Sequence, residues 1–381
     1  MEVRAFAGMS GTRLRCGARP DKRGVVLLTL LSGLCWPALA RAEPPELQLP
    51  VACTPGKDCF VQNYPDDDTA PGSVRDFACT SATYDGHDGT DIRVLSVEAA
   101  KGVKVLAAAA GTVRGARDGV PDHLMRTAAD KAAVNGRECG NGVAIVHADG
   151  WETQYCHMRR GSVRVRPGQT VKAGDPLGEV GQSGETQFAH VHLTVRHNGK
   201  PIDPFTGKAL GDAPSGTAGG TAPFSAAANG GTTPSCLTDA TNATAGSLWP
   251  APVASLLGAP ATVVLEAGFV TQMPLDYELE QGHARLTAPT AAAPEFIFFA
   301  RIMHLRAGDR VHFGVELPEG QALDETAEPM AGNSAVKVLG AGRKRSGPAW
   351  PAGSYLGHVE VLRNGHVIAH AAQDLELPEN D

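Results

Sequence analysis

The stretch from Thr186 to Phe205, "TQFAHVHLTVRHNGKPIDPF", decides how this chain is read. Residues two apart in a strand share a face. Val191, Leu193 and Val195 therefore point one way, and His190, His192 and Thr194 the other. The apolar face packs inward, so the histidine face opens onto a cleft or solvent. Asn198-Gly199 then reads as the turn of a hairpin.

Working outward, the pattern from Tyr84 to Pro204 is strand and turn. "GVKVLAAAAGTVRGARDG" holds two short apolar runs broken at Gly111, and "GNGVAIVHADGWETQYCHM" holds two strands about an Asp149-Gly150 type I′ signal. "VKAGDPLGEVG" supplies another turn between strands. The one helix-like stretch, "PDHLMRTAADKAAVNG" (Pro121 to Gly136), reads as an insertion. In "TQYCH", alternation is expected to put Thr153, Tyr155 and His157 on one face and Cys156 on the other.

The wider composition agrees. The 381 residues include 45 Gly and 27 Pro with only 5% aromatics, which favours short strands and many turns over a helical bundle. Residues 1–42 read as a secretory signal: five basic residues between Arg13 and Arg23, then "GVVLLTLLSGLCWPALA", then a small-residue cleavage pattern ending at Ala42. Removing it leaves 27 basic and 39 acidic residues, a formal charge of −12. Such a field repels nucleic acid. The one basic patch, "RRGSVRVR" from Arg159 to Arg166, reads as a solvated strand edge, and no second apolar run is long enough to anchor the chain in a membrane. Oligomeric state is not legible.

Six cysteines would remain after cleavage, an even count that suggests disulfides in an exported protein, periplasmic or secreted. The expected pairs are Cys53–Cys59, Cys139–Cys156 and Cys79–Cys236. Residues 43–83 then form a cysteine-bearing arm, 84–205 the first β domain, 206–247 a Gly/Ala/Ser/Thr/Pro linker, and 248–381 an accessory, immunoglobulin-like β-sandwich. The fold class is all-β, and no internal repeat links the halves.

Most of the thirteen histidines need no special role. His123, His197, His304, His312, His358, His366 and His370 have no partner pattern and read as structural. Four others differ. His190 and His192 share a strand face, His157 lies on a neighbouring strand, and His87 precedes Asp91 by four residues in the loop "YDGHDGTDIRV". A His, Asp, His set suits a catalytic zinc with one position left for water, and two histidines would remain beside that water.

Together, "GHDGTDIRV … AAAAGTV … GNGVAIVHADGWETQYCHM … GQTVKAGDPLGEVGQSGETQFAHVHLTVRHNGKPIDP" resembles the catalytic domain of lysostaphin/LytM-type zinc metalloendopeptidases, over roughly Tyr84 to Pro204. The resemblance implies a compact antiparallel architecture of the barrel-sandwich, duplicated-hybrid-motif kind with the metal in a groove. It implies Zn2+ held by His87, Asp91 and His192, with His157 and His190 as catalytic groups and a peptidoglycan peptide as substrate. Ala189 stands where the family usually has proline, and the insertion and the Cys139/Cys156 pair are additions. The competing readings are a catalytically silent regulator of a cell-wall amidase, a secreted protease acting on Gly-rich protein, a lipoyl-carrier-like module and a phosphotransfer domain. The last two leave the histidines unexplained or need a cytoplasmic donor. The second domain could bind wall glycan, dock a partner, shield the groove or only stabilise.

Overall fold

The structure is a computed structural model that describes residues 43–212 and 246–379, apart from 259, 283–285 and 319. The signal at 1–42, most of the linker and the partner half of Cys79–Cys236 lie outside the described residues. Among the described residues no helix is long and apolar enough to cross a membrane.

Eleven strands build the first body: β1 (Cys59–Asn63), β2 (Thr90–Val94), β3 (Lys104–Leu106), β4 (Gly111–Arg117), β5 (Asn141–Val146), β6 (Trp151–Met158), β7 (Thr170–Val171), β8 (Pro176–Glu179), β9 (His190–His197), β10 (Lys200–Asp203) and β11 (Lys208–Ala209). Nine form one antiparallel sheet in the order β1-β2-β9-β6-β5-β4-β7, with β10 added on β9 and β11 on β10; β3 and β8 pair separately. The expected hairpins form because their turn residues accept positive φ: Asp149 and Gly150 join β5 to β6, and Asn198 and Gly199 join β9 to β10.

The apolar face of β9 does what its alternation requires. Val191, Leu193 and Val195 are buried and join Ile92, Val113, Ile145 and Tyr155 in one core. The insertion contains only a short helix, α1 (Ala128–Ala133). Thr127 and Asp130 cap it reciprocally, and it buries no residue, so it lies on the surface.

The same core reaches beyond 84–205. Leu47, Tyr64 and Phe77 from the arm and Leu248, Trp249 and Leu257 from the segment bearing α2 (Ala251–Leu257) are part of it. Phe77 stacks on Phe205 at 4.7 Å, and the Tyr64 hydroxyl donates to Leu257 O at 3.0 Å. The arm is thus a strand of the sheet and its floor. Residues 248–257 belong to this body, ahead of the sandwich.

The second body has seven strands: β12 (Val263–Val270), β13 (Glu295–Leu305), β14 (Arg310–Leu317), β15 (Gly320–Thr326), β16 (Ser334–Lys344), β17 (Gly353–Arg363) and β18 (His366–Leu377). They form sheets β12-β13-β16 and β15-β14-β17-β18. Phe269, Phe296, Phe298, Phe313, Tyr355 and Val359 fill the space between. The least strand-like sequence among these is that of β15, "GQALDET", whose only β-branched residue is Thr326 and which holds no aromatic. The connection from β12 to β13 carries a short helix, α3 (Asp276–Glu280), that packs back onto the first body; Val97 N donates to Glu280 O at 2.8 Å.

Candidate metal centre and groove

β9 lies between β2 and β6, and the register sets the site. Asp91 stands opposite His192 on one side, Cys156 opposite it on the other, and Arg93 opposite His190. His87 enters from the loop before β2. Gly89 lets that loop close on β9, since a Cβ there would lie 2.6 Å from His192 Nε2 and 2.7 Å from Leu193 O.

Three ligand atoms converge. His87 Nε2 lies 3.2 Å from Asp91 Oδ1 and 3.2 Å from His192 Nδ1, and His192 Nδ1 lies 2.8 Å from Asp91 Oδ1. The outer hydrogen bonds assign the tautomers. His87 Nδ1 donates to Tyr64 O at 2.7 Å, leaving a lone pair on Nε2. His192 Nε2 donates to Thr194 Oγ1 at 2.9 Å and towards Asp88 Oδ1 at 3.2 Å, leaving a lone pair on Nδ1. Asn63 Nδ2 donates to Asp91 Oδ2 at 2.8 Å, leaving Oδ1 for the centre.

Lone pairs from two imidazoles and one carboxylate therefore face one point. That donor set attracts a cation. The protonation equilibria agree. Burial works against charge on His192, but its hydrogen bonds to Asp88 and Asp91 raise it to about 9. Burial likewise disfavours the Asp91 anion, yet the charges of His87 and His190 and its hydrogen bonds hold the carboxyl well below its usual range. The centre favours positive charge, as a proton or as a metal ion. Another cluster, Cys53, Asp58 and Cys59, is no competitor, because its two cysteines form a disulfide.

Two histidines stand beside this centre. His190 Nδ1 donates to Phe188 O at 2.9 Å, and its Nε2 lies 3.4 Å from Asp91 Oδ1. His157 Nδ1 donates to Ser183 O at 2.8 Å. Their rings are 4.6 Å apart, and both line a groove of about 740 Å3. Burial, followed by the charges of His190 and His192, pushes His157 well below its ordinary pKa and keeps it neutral.

The structure brings His87, Asp91, His157, His190 and His192 to one groove, but His157 arrives by a different route from the one expected. Thr153 and Tyr155 face the core, where the Tyr155 hydroxyl accepts from Ala108 N at 2.7 Å. Gln154 and Cys156 line the groove. His157 leaves the alternation because its φ is +62°, a left-handed conformation that carries its side chain to the face of Cys156. His157 N donates to Cys139 O at 2.9 Å, and Cys139 is disulfide-bonded to Cys156, so a covalent clamp holds the irregular residue. Both expected disulfides with described partners are present, which fits an oxidising compartment.

Several groove residues escape the sequence reading. Asp88 anchors His192 and is held by Arg196 Nη2 at 3.0 Å; its place beside His87 in "GHDG" is the only sequence signal. Asn63 comes from a segment without a motif, while Tyr84 and Phe188 stand beside His87 and His190 in the motif stretches without being singled out. Tyr84 packs tilted against His87 at 4.4 Å, and Phe188 stacks on His190 at 4.2 Å. His304 is structural as expected, though it joins the two bodies; its Nε2 donates to Gln62 O at 2.8 Å.

Residues 85–204 match the family described as Peptidase family M23. The chain is 34% identical over 116 residues to the cell division protein DipM of Caulobacter vibrioides, covering 29% of this chain and 16% of that protein. It is 38% identical over 65 residues to the DD-carboxypeptidase/endopeptidase Mpg of Neisseria meningitidis, covering 17% and 14%. It is 36% identical over 103 residues to the lipoprotein NlpD/LppB homolog of Pseudomonas aeruginosa, covering 27% and 28%. In each case the chain spans under a third of the relative. The resemblance to LytM-type peptidases is borne out for the groove-bearing domain.

Proposed function

We propose that this protein is an exported zinc metalloendopeptidase that hydrolyses peptide bonds in peptidoglycan. His87, Asp91 and His192 are its zinc ligands, and His157 and His190 its catalytic groups. The observation that carries the reading is the convergence of three outward-anchored lone pairs beside two further imidazoles in one groove. Two neutral nitrogens and one carboxylate suit zinc, and three protein ligands leave a position for water. Family M23 membership supports a peptidase, and a relative named as a DD-carboxypeptidase/endopeptidase supports a wall peptide as substrate. The disulfides support export.

Zinc, when bound, supplies a Lewis acid and acidifies a bound water. The chain's own residues do the rest. Asn63 and Asp88 keep Asp91 and His192 aimed at the centre. His157 and His190 each donate from Nδ1 to a backbone carbonyl, so each presents Nε2 to the groove. His157, held neutral, accepts a proton at Nε2; His190 Nε2 returns a proton to the leaving amine. Arg196, tied to Asp88 and to Gln154 Oε1 at 2.6 Å, forms one polar wall that orients the substrate backbone. The sandwich's strand order, with its first, second and fifth strands facing the other four, supports an immunoglobulin-like reading of that body.

Purified peptidoglycan digested with the chain lacking residues 1–42, alongside metal analysis, tests the reading. The wild type should release peptide fragments and bind about one zinc. His190→Ala should keep the metal and lose about 100-fold or more in rate. Equal release by both proteins, or no bound metal in either, defeats it.

A further inference from the structure

The two most deeply buried cations among the described residues play no part in the mechanism above. Arg93 on β2 is 1% exposed and Arg301 on β13 is 0% exposed. Between them lies Glu280, at the end of α3 and itself 1% exposed. Its Oε1 accepts from Arg93 Nη2 at 2.6 Å and also from Arg301 Nη2. Arg301 Nε also lies 2.7 Å from Asp276 Oδ1 as an ion pair, and Arg301 Nη1 donates to Leu95 O at 3.2 Å. One buried ionic cluster therefore belongs at once to the sandwich, to its α3 excursion and to the sheet that carries the groove. Arg301 also meets Glu266 Oε1 at 3.3 Å, whereas Glu280 is the carboxylate that pairs with Arg93. Removing Glu280 therefore takes that partner from a fully buried cation and loosens β13 from β2.

The cluster ends on the groove. The Arg93 guanidinium lies 5.2 Å from the centroid of the Phe188 ring. Phe188 in turn stacks on the His190 imidazole, with centroids 4.2 Å apart and planes 24° apart. The other side of His190 meets His157 at 4.6 Å. The hydrogen bond from His190 Nδ1 to Phe188 O selects a tautomer; the stacked ring sets the plane in which Nε2 points.

We infer that the C-terminal sandwich is a working part of the groove: through Glu280 and Arg93 it holds Phe188, and Phe188 holds the His190 ring in its productive plane. Arg301, Glu280, Arg93 and Phe188 are positioning residues, each acting on chemistry through another. The consequence for rate rests on the peptidase reading, while the consequence for the His190 ring does not.

The test uses the mature chain with two readouts: kcat and KM on wall peptide, and the proton chemical shifts of the His190 ring in metal-free protein. Phe188 is a half-buried groove residue, so its replacement leaves the cores intact. Phe188→Leu should lower kcat roughly 10-fold or more with KM and bound metal unchanged, and should remove the upfield ring-current shift from His190. Phe188→Trp should retain both. Glu280→Gln should reproduce the Phe188→Leu result in both readouts; if it fails to fold, Arg301→Lys, which keeps the charge and loses the fork, takes its place. Wild-type kcat and unmoved His190 signals in Phe188→Leu overturn the inference, as do a folded Glu280→Gln or Arg301→Lys without effect. A protein with no peptidase activity whose ring signals respond as stated overturns the functional reading and upholds this one.

Discussion

Two strands of this chain, β9 and β13, face the same problem and solve it differently. Each lies between neighbours on both sides, and each is buried on both faces. β13, "EFIFFARIMHL", is apolar nearly throughout: Phe298, Ala300 and Ile302 fill the sandwich, while Ile297 and Phe299 pack under the α3 excursion. β9 gives only one face to apolar residues and buries His190, His192 and Thr194 on the other. Burying polar groups costs free energy unless each is hydrogen-bonded. Accordingly, every one of the three has a partner. A strand that accepts this cost where valine would serve is kept for chemistry rather than for stability.

The largest expected effect tests that distinction. His192→Ala removes a ligand and should abolish metal binding and lower peptidase activity by about 10,000-fold. In metal-free protein the same change should lower unfolding free energy by only about 1–3 kcal/mol, because it deletes no apolar contact of the core but takes from buried Asp91 one of its partners. A metal-free variant several kcal/mol less stable would make the polar face of β9 structural, and the contrast with β13 would fall.

On β13 the expectation reverses. Phe298 is fully buried and packs on Phe269 at 4.9 Å. Phe298→Ala should cost about 3–5 kcal/mol in chemical denaturation, from lost transfer energy and the cavity left behind. The free metal centre should be unchanged in folded protein at low temperature, since Phe298 faces the sandwich interior. A loss below about 1 kcal/mol would mean that the sandwich repacks and does not act as a rigid support.

How much of this was legible follows from the range of each interaction. The hairpins at Asp149-Gly150 and Asn198-Gly199 were legible because turn chemistry is local, and both show positive φ at both residues. The face of β9 was legible because its alternation is unbroken over His190 to Val195. His157 was misplaced because one left-handed residue at the end of β6 undoes the parity on which the expectation rests. Asn63, Arg93 and Arg301 were not legible at all. Their roles come from partners as far away as Arg93 is from Glu280, and no spacing rule connects such positions. Phe188, two residues before His190, was within reach of the strand-face rule and went unread.

Asp88 sits between these extremes, visible beside His87 yet unassigned until its contact with His192 is seen. It also offers the next test of how β9 carries its polar face. Asp88→Asn keeps the shape and removes the charge that anchors His192 Nε2, so metal affinity should fall about 10- to 100-fold in competition titration with a chelator. Stability of the metal-free protein should hardly move, because Asp88 is partly exposed and also tied to Arg196. Unchanged affinity would leave Thr194 as the sole anchor that matters.

The smallest effect separates two carboxylates of the groove body, buried Asp91 and half-buried Asp67, that the environment drives in opposite directions. Asp91 is held ionised by the histidines around it, whereas Asp67 has only the charge of Arg75 set against burial and the acidic groups near it. Burial, followed by the negative charge of Asp203, raises Asp67 from 3.8 to about 8. Between those values the unfolded chain has released this proton and the folded chain still holds it. Stability contributed by Asp67 is therefore complete below pH 4 and declines as pH rises towards 8. Asp67→Asn cannot ionise, so it should raise the melting temperature by roughly 2–4 °C at pH 8 and by almost nothing at pH 4. Melting curves across that range decide the matter. A gain that is the same at both pH values would trace to packing, and would show that charge is buried here without the penalty that makes the polar face of β9 informative.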